Sequence, residues 1–147
     1  MKLTLKAATA AVSLLAISGN AFAEGDPAKG EKVFRKCTAC HMVGEKAKNR
    51  VGPVLTGVVG RKAGTAEGYK YSKLNQAAGE AGLEWTEENL IAYLPDPSGF
   101  LKKYLKENDA ADKAKGRSKM VYKLKKEDER KDVVAYLKTF SKEPATN

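Results

Sequence analysis

The chain has a single histidine, two cysteines and a single tryptophan. No segment beyond the first two dozen residues is apolar enough to span a bilayer, which takes about 20 residues. Each shortage excludes something. One histidine and two cysteines fall short of the four ligands of a closed structural zinc site. No stretch alternates apolar and polar residues between turn signals, so strands are not expected. The aromatics are not interleaved with basic residues as on a base-stacking surface, which argues against nucleic acid. Five prolines and thirteen glycines are enough to divide the chain into short elements.

What is present begins with the N-terminus. Lys2 and Lys6 precede an apolar run from Ala7 to Ile17, and Ala21-Phe22-Ala23 supplies a small-x-small site. That order reads as a secretory signal peptide over 1–23, cleaved before Glu24. A retained N-terminal anchor is the rival reading. Cleavage leaves 124 residues, one domain over 24–147. It also removes two lysines and no acids, leaving 25 basic against 18 acidic residues. A surplus of seven favours acidic partners. With export, the mature chain is expected to be soluble, periplasmic and monomeric.

Asp26-Pro27 is a helix start, with a capping side chain and proline at the first helical position. Val33, Phe34 and Cys37 then share one helical face. Residues 42–64 carry five glycines and Pro53 and read as loop. A short helix is expected from Ser72 toward Ala78. Another begins at Thr86 and ends before Pro95 and Pro97. Ser98 is the cap candidate for a further helix, with Phe100, Leu101, Tyr104 and Leu105 apolar. The polar stretch 107–118 reads as a solvated arm or irregular helix. A last helix is expected over Glu127 to Phe140, with Val133, Tyr136, Leu137 and Phe140 as its apolar stripe. The class is all-α, with short helices and long loops. Such helices are marginal alone, so something large and apolar should fill the middle.

Cys37-Thr38-Ala39-Cys40-His41 is the C-x-x-C-H pattern of covalent haem attachment. Two thiols three positions apart can each add to one vinyl group on one haem edge. The histidine that follows lies under the iron, and neutral imidazole is a good iron ligand. A thioredoxin-like site would need a βαβ frame, which is missing. A plain disulfide would leave His41 unexplained.

At these residues the chain resembles the class I cytochromes c, and among them the cytochromes c2 of purple bacteria. The resemblance extends over nearly the whole of 24–147. Gly30 and Phe34 match the first helix. Gly52-Pro53, Leu55, Gly57 and Gly60-Arg61 match the loop after the haem motif. Tyr69-Lys70-Tyr71-Ser72, Trp85-Thr86, Tyr93-Leu94 and Pro97 follow in the family's order, and Asp132 to Leu137 match its closing helix. The 22 residues between Pro97 and Met120 exceed the shortest members and correspond to the insertion of larger ones.

The resemblance implies the class I cytochrome c fold wrapped around one covalent haem c, and a one-electron carrier rather than an enzyme. A peroxidase or a gas sensor is the competing class. It implies a methionine as the second axial ligand. Met1 leaves with the signal, Met42 adjoins His41 and cannot easily reach the opposite face, and Met120 stands where the family's ligand stands. Thus Cys37 and Cys40 hold the haem, and His41 and Met120 hold the iron. Lys119 is a rival donor when deprotonated at high pH. By the same analogy the Pro53 carbonyl orients His41, and Arg61, Tyr71 and Trp85 meet the haem propionates. Asn75 and Tyr93 line the Met120 side, and Gly30 admits a close crossing of the first and last helices beside Phe34 and Tyr136. The implied donor is a cytochrome bc1-type, quinol-oxidising complex. The implied acceptor is a photosynthetic reaction centre or a terminal oxidase or reductase, each with an acidic docking face. Lys36, Lys119, Lys123, Lys125 and Lys126 are expected to ring the haem edge.

Overall fold

The computed structural model describes residues 25–141; the expected signal peptide lies outside them. Five α-helices follow in order: α1 Pro27–Phe34, α2 Lys73–Glu80, α3 Glu87–Tyr93, α4 Pro97–Glu107 and α5 Glu127–Lys138. A single turn of 3-10 helix, Ala111–Lys113, stands between α4 and α5. Among the described residues the only strand-like pairing is the isolated bridge between Lys62 and Glu84. No described helix is long and apolar enough to cross a membrane.

The helix starts follow from local chemistry. The Asp26 carboxylate accepts the amide hydrogens of Ala28 and Lys29, and Pro27 needs no partner there. Ser72 Oγ accepts from the Asn75 amide and Thr86 Oγ1 from Asn89. Glu127, Asp128 and Glu129 complement the positive end of α5.

One expectation needs correction. α4 begins at Pro97, not under a Ser98 cap. Proline's fixed φ suits the first helical position, and Ser98 Oγ instead accepts the Ser118 amide at 3.0 Å. The stretch 107–118 is largely exposed and holds the 3-10 turn, as a solvated, irregular segment should, but it is tied down at two points. Asp109 takes a left-handed φ of 56°, which turns the chain back so that the Ala110 amide reaches the Leu105 carbonyl at 2.9 Å. Ala110 and Ser118 are buried, which pins both ends of the segment to the body.

Packing is densest where α1 crosses α5. A Cβ on Gly30 would stand 2.0 Å from the Asp132 carbonyl oxygen and 2.7 Å from Tyr136 Cβ. Only glycine permits that approach, and it brings the Phe34 and Tyr136 rings to 5.5 Å. The Asp132 carboxylate accepts the Asp26 amide at 2.7 Å, tying the start of α1 to the middle of α5. On the other side, Leu74, Leu83, Leu101 and Leu105 are fully buried. Trp85 and Tyr93 pack at 4.7 Å, and Phe100 extends the aromatic group to Tyr104. The Arg61 carbonyl accepts the Trp85 amide and the Trp85 carbonyl accepts the Gly60 amide, both at 2.8 Å. That pairing sets Arg61 and Trp85 side by side.

Candidate functional site

Between these two packed regions lies a cavity of about 370 Å³, lined largely by apolar side chains. Cys37, Cys40, His41 and Met120 all line it, together with Arg61, Tyr71, Asn75, Trp85 and Tyr93. The loops and helices thus bring these residues to one space, with Lys36 and Lys119 in its lining; Lys123, Lys125 and Lys126, also expected to ring the haem edge, do not line it.

The C-x-x-C-H segment is a compact turn off the end of α1. The Cys37 amide donates to Phe34, and the amides of Cys40 and His41 both donate to the Cys37 carbonyl, at 3.0 and 2.9 Å. Both cysteines are free thiols and half-buried. Burial pushes the Cys37 thiol up to about 11, so it stays protonated at neutral pH. No group of three or more His, Cys, Asp or Glu side chains gathers to hold a metal ion among the described residues.

His41 is fixed by its surroundings. Nδ1 lies 2.7 Å from the Pro53 carbonyl oxygen. With the proton on Nδ1, that nitrogen donates and the Nε2 lone pair stays free to ligate. Burial, aided by the Arg61 charge, holds the imidazole below its usual pKa, against the opposing pull of the Pro53 bond. The neutral, ligating form is therefore favoured. Gly52 presses its backbone on the ring: a Cβ there would meet Cε1 at 2.4 Å.

Met120 is half-buried on the segment leading to α5. Its amide donates to Ser118 Oγ at 3.1 Å. Ser118 Oγ also pairs with the Tyr93 hydroxyl at 3.3 Å, while the Ser118 amide reaches Ser98. Ser118 is thus the hub that places Met120, and sequence reasoning missed it. A small hydroxyl two residues before the methionine was its only signal, and the flanking Arg117 and Lys119 made it look solvated. Burial pushes the Tyr93 hydroxyl up to about 12, so it stays protonated at neutral pH.

Arg61 spans the loop below, with Nη2 donating to the Val54 carbonyl at 3.0 Å and Nη1 to Thr56 at 3.4 Å. Its Nε is buried without a partner, as is Asn75 Oδ1. Unpaired buried polar atoms are costly and rare, and these two residues both line the cavity. Tyr71 accepts the Ala66 amide at its hydroxyl. Lys119 extends its ammonium to the Lys70 carbonyl and over the Tyr69 ring. A largely apolar cavity with two thiols, a neutral imidazole, a thioether and unsatisfied polar atoms fits a haem: flat, apolar, and carrying propionates that need donors.

The chain's relatives agree. Residues 27–141 match the family model described as cytochrome c. Cytochrome c2 iso-2 of Rhodospirillum centenum is 67% identical over 118 residues, covering 80% of this chain and 98% of that protein. A cytochrome c2 of Rhodopseudomonas palustris is 60% identical over 114 residues, covering 78% and 97%. The solved structure of Rhodospirillum centenum cytochrome c2 superposes with a TM-score of 0.80 at 67% identity, over 80% of this chain and all of that one. Ferricytochrome c2 from Rhodopseudomonas palustris gives 0.75 at 56% identity, over 79% and 99%. The fold, the cavity and these likenesses agree: the chain belongs to the cytochrome c family, whose members are electron carriers, not enzymes, and bind one haem c covalently.

Proposed function

We infer that this chain is a soluble periplasmic carrier in which Cys37 and Cys40 hold haem c and His41 and Met120 take the two axial positions of its iron. When bound, haem c supplies one iron that cycles between ferrous and ferric states and so moves a single electron. The observation that carries this reading is the convergence of those four side chains on one cavity. The chain's own residues do the rest. The Pro53 carbonyl and the Gly52 backbone hold the imidazole in one orientation. Ser118 holds the Met120 backbone. The apolar walls exclude water and penalise the more highly charged ferric state, and thioether ligation acts in the same direction, so the potential is raised. With His41 and Met120 both holding the iron, no coordination position would be left for a substrate. In Met120→Ala, the iron–sulfur charge-transfer band at neutral pH should vanish; an unchanged band refutes the assignment.

The cavity mouth supports a docking role. Val51, Val121 and Tyr122 line the cavity yet are 75%, 85% and 42% exposed, and Lys36 and Lys119 stand beside them. An apolar lip with cations next to it suits brief contact with an acidic face. The donor in this reading is a bc1-type quinol-oxidising complex, and the acceptor a reaction centre or a terminal oxidase or reductase. The reading of residues 1–23 as a cleaved signal supports exchange in the periplasm, by a carrier proposed to be a monomer. Electron-transfer rates to purified bc1-type complex and to reaction centres should fall steeply with added salt. A flat salt profile refutes docking by charge.

A further inference from the structure

A second cavity, of about 410 Å³, opens between α2 and the segment that follows the 3-10 turn. Its walls carry Lys73, Lys113, Lys115 and Arg117, and its floor is Leu74 and Ala77. Lys113 pairs with Glu80 at 3.6 Å. Lys73, Lys115 and Arg117 have no side-chain hydrogen bond or ion pair among the described residues. Several other cations of the molecule are held by partners. Lys36 is bound to Glu129 at 2.8 Å, Lys123 to Asp96 at 2.9 Å and Lys126 to Glu129 at 3.7 Å. Lys125 donates to the Pro95 carbonyl at 2.9 Å. Three cations thus face one concavity uncompensated, above a floor that is buried and apolar. No acid stands in the first turn of α2, at whose start Lys73 lies, so the positive end of that helix is also uncompensated.

We propose that this cavity is a binding site for a compact, multiply charged phosphate. Four cations against one acid leave a surplus of three positive charges. Arg117 can bind two oxygens in parallel, and the lysines can close on the rest. The space holds one or two phosphate groups rather than a peptide or a protein face. A bound phosphate would bridge α2 to residues 113–117, which the Lys113–Glu80 contact alone joins by an ion pair among the described residues. The site is separate from the haem cavity and does not depend on how the iron is ligated.

The test is calorimetric titration of the haem-loaded protein with sodium pyrophosphate at low ionic strength, set against two variants of equal charge change. Lys73→Gln/Lys115→Gln/Arg117→Gln removes the three unpaired cations, and Lys36→Gln/Lys123→Gln/Lys126→Gln removes three from elsewhere on the surface. Saturable binding is expected, weakened about thirty-fold in the first variant and less than about three-fold in the second. Absence of saturable binding, or equal weakening in both variants, overturns the proposal. Vesicles containing about 30% phosphatidylglycerol then identify the natural source. If they displace pyrophosphate, the ligand is a lipid headgroup; if they do not, it is a free phosphate, and either result supports the site. Vesicle binding that the first variant retains in full, with no pyrophosphate heat, overturns it.

Discussion

α1 and α5 present two different faces. Toward each other they meet at contact distance, with the Gly30 position closed by the Asp132 carbonyl and Tyr136. Toward the interior the same helices supply Phe34, Val133, Val134 and Leu137 to the wall of a cavity of about 370 Å³. On the first side polypeptide fills the space by itself. On the second, apolar side chains are arranged around a volume that the cofactor takes. The difference teaches where stability resides: the crossing is a local clamp, while the cavity wall is stable only as part of a larger packed unit.

The strongest way to break that comparison is to produce the chain without haem. A void of 370 Å³ at about 24 cal/mol per Å³ costs about 9 kcal/mol. That is as large as the whole net stability of an ordinary domain. Haem-free protein should therefore lack a cooperative thermal transition in circular dichroism; a sharp transition near that of the haem-loaded protein would show that the walls stand alone. Next in size is the clamp. In Gly30→Val the added carbons meet backbone, which cannot yield, and the loss should be about 3 kcal/mol in denaturant unfolding of the loaded protein. A change below about 1 kcal/mol would mean that the crossing can widen freely.

A smaller effect probes the join between the two sides. Ser118→Ala removes the hydroxyl shared by Tyr93 and the Met120 amide. It should cost about 1–2 kcal/mol and shift the Met120 charge-transfer band without abolishing it. Loss of stability with an unmoved band would make Ser118 a packing residue only. The smallest effect lies at the surface of the clamp. The Lys36 hydrogen bond holds the Glu129 carboxyl below its usual 4.5, and the same bond raises Lys36 above 10.5. The pair's contribution is thus present between those values. It is lost as pH falls below 4.5, through the lowered Glu129 pKa, and as pH rises above 10.5, through the raised Lys36 pKa. Glu129→Gln should flatten both edges of the stability–pH curve slightly; unchanged edges would show that the pair is inert.

The parts of this architecture legible in the sequence are those decided within a few residues. Asp26-Pro27, Ser72 and Thr86 announce helices because capping is a contact of two or three positions. The C-x-x-C-H turn is local in the same sense. Ser98 misled because Pro97 and Ser98 both suit a helix start, and the choice turns on Ser118, twenty residues away. The stretch 107–118 is mostly exposed, as its charges suggest, but they hide Ala110 and Ser118, whose burial only the folded chain decides. The lysine partners are just as remote: Lys36 finds Glu129 across 93 positions. Met120 was singled out through the family's pattern. The serine that places it was not.

The absence of a side chain at Gly52 has a consequence for how the protein exchanges electrons. With the Gly52 main chain against the imidazole and the Pro53 carbonyl on Nδ1, the ring is held in one orientation. In the proposed role of iron ligand, the freedom it would otherwise lose on binding would already have been given up when the chain folds. A ring that cannot tilt would then look the same to an oxidised and a reduced centre, and the reorganisation that slows electron transfer would be kept small.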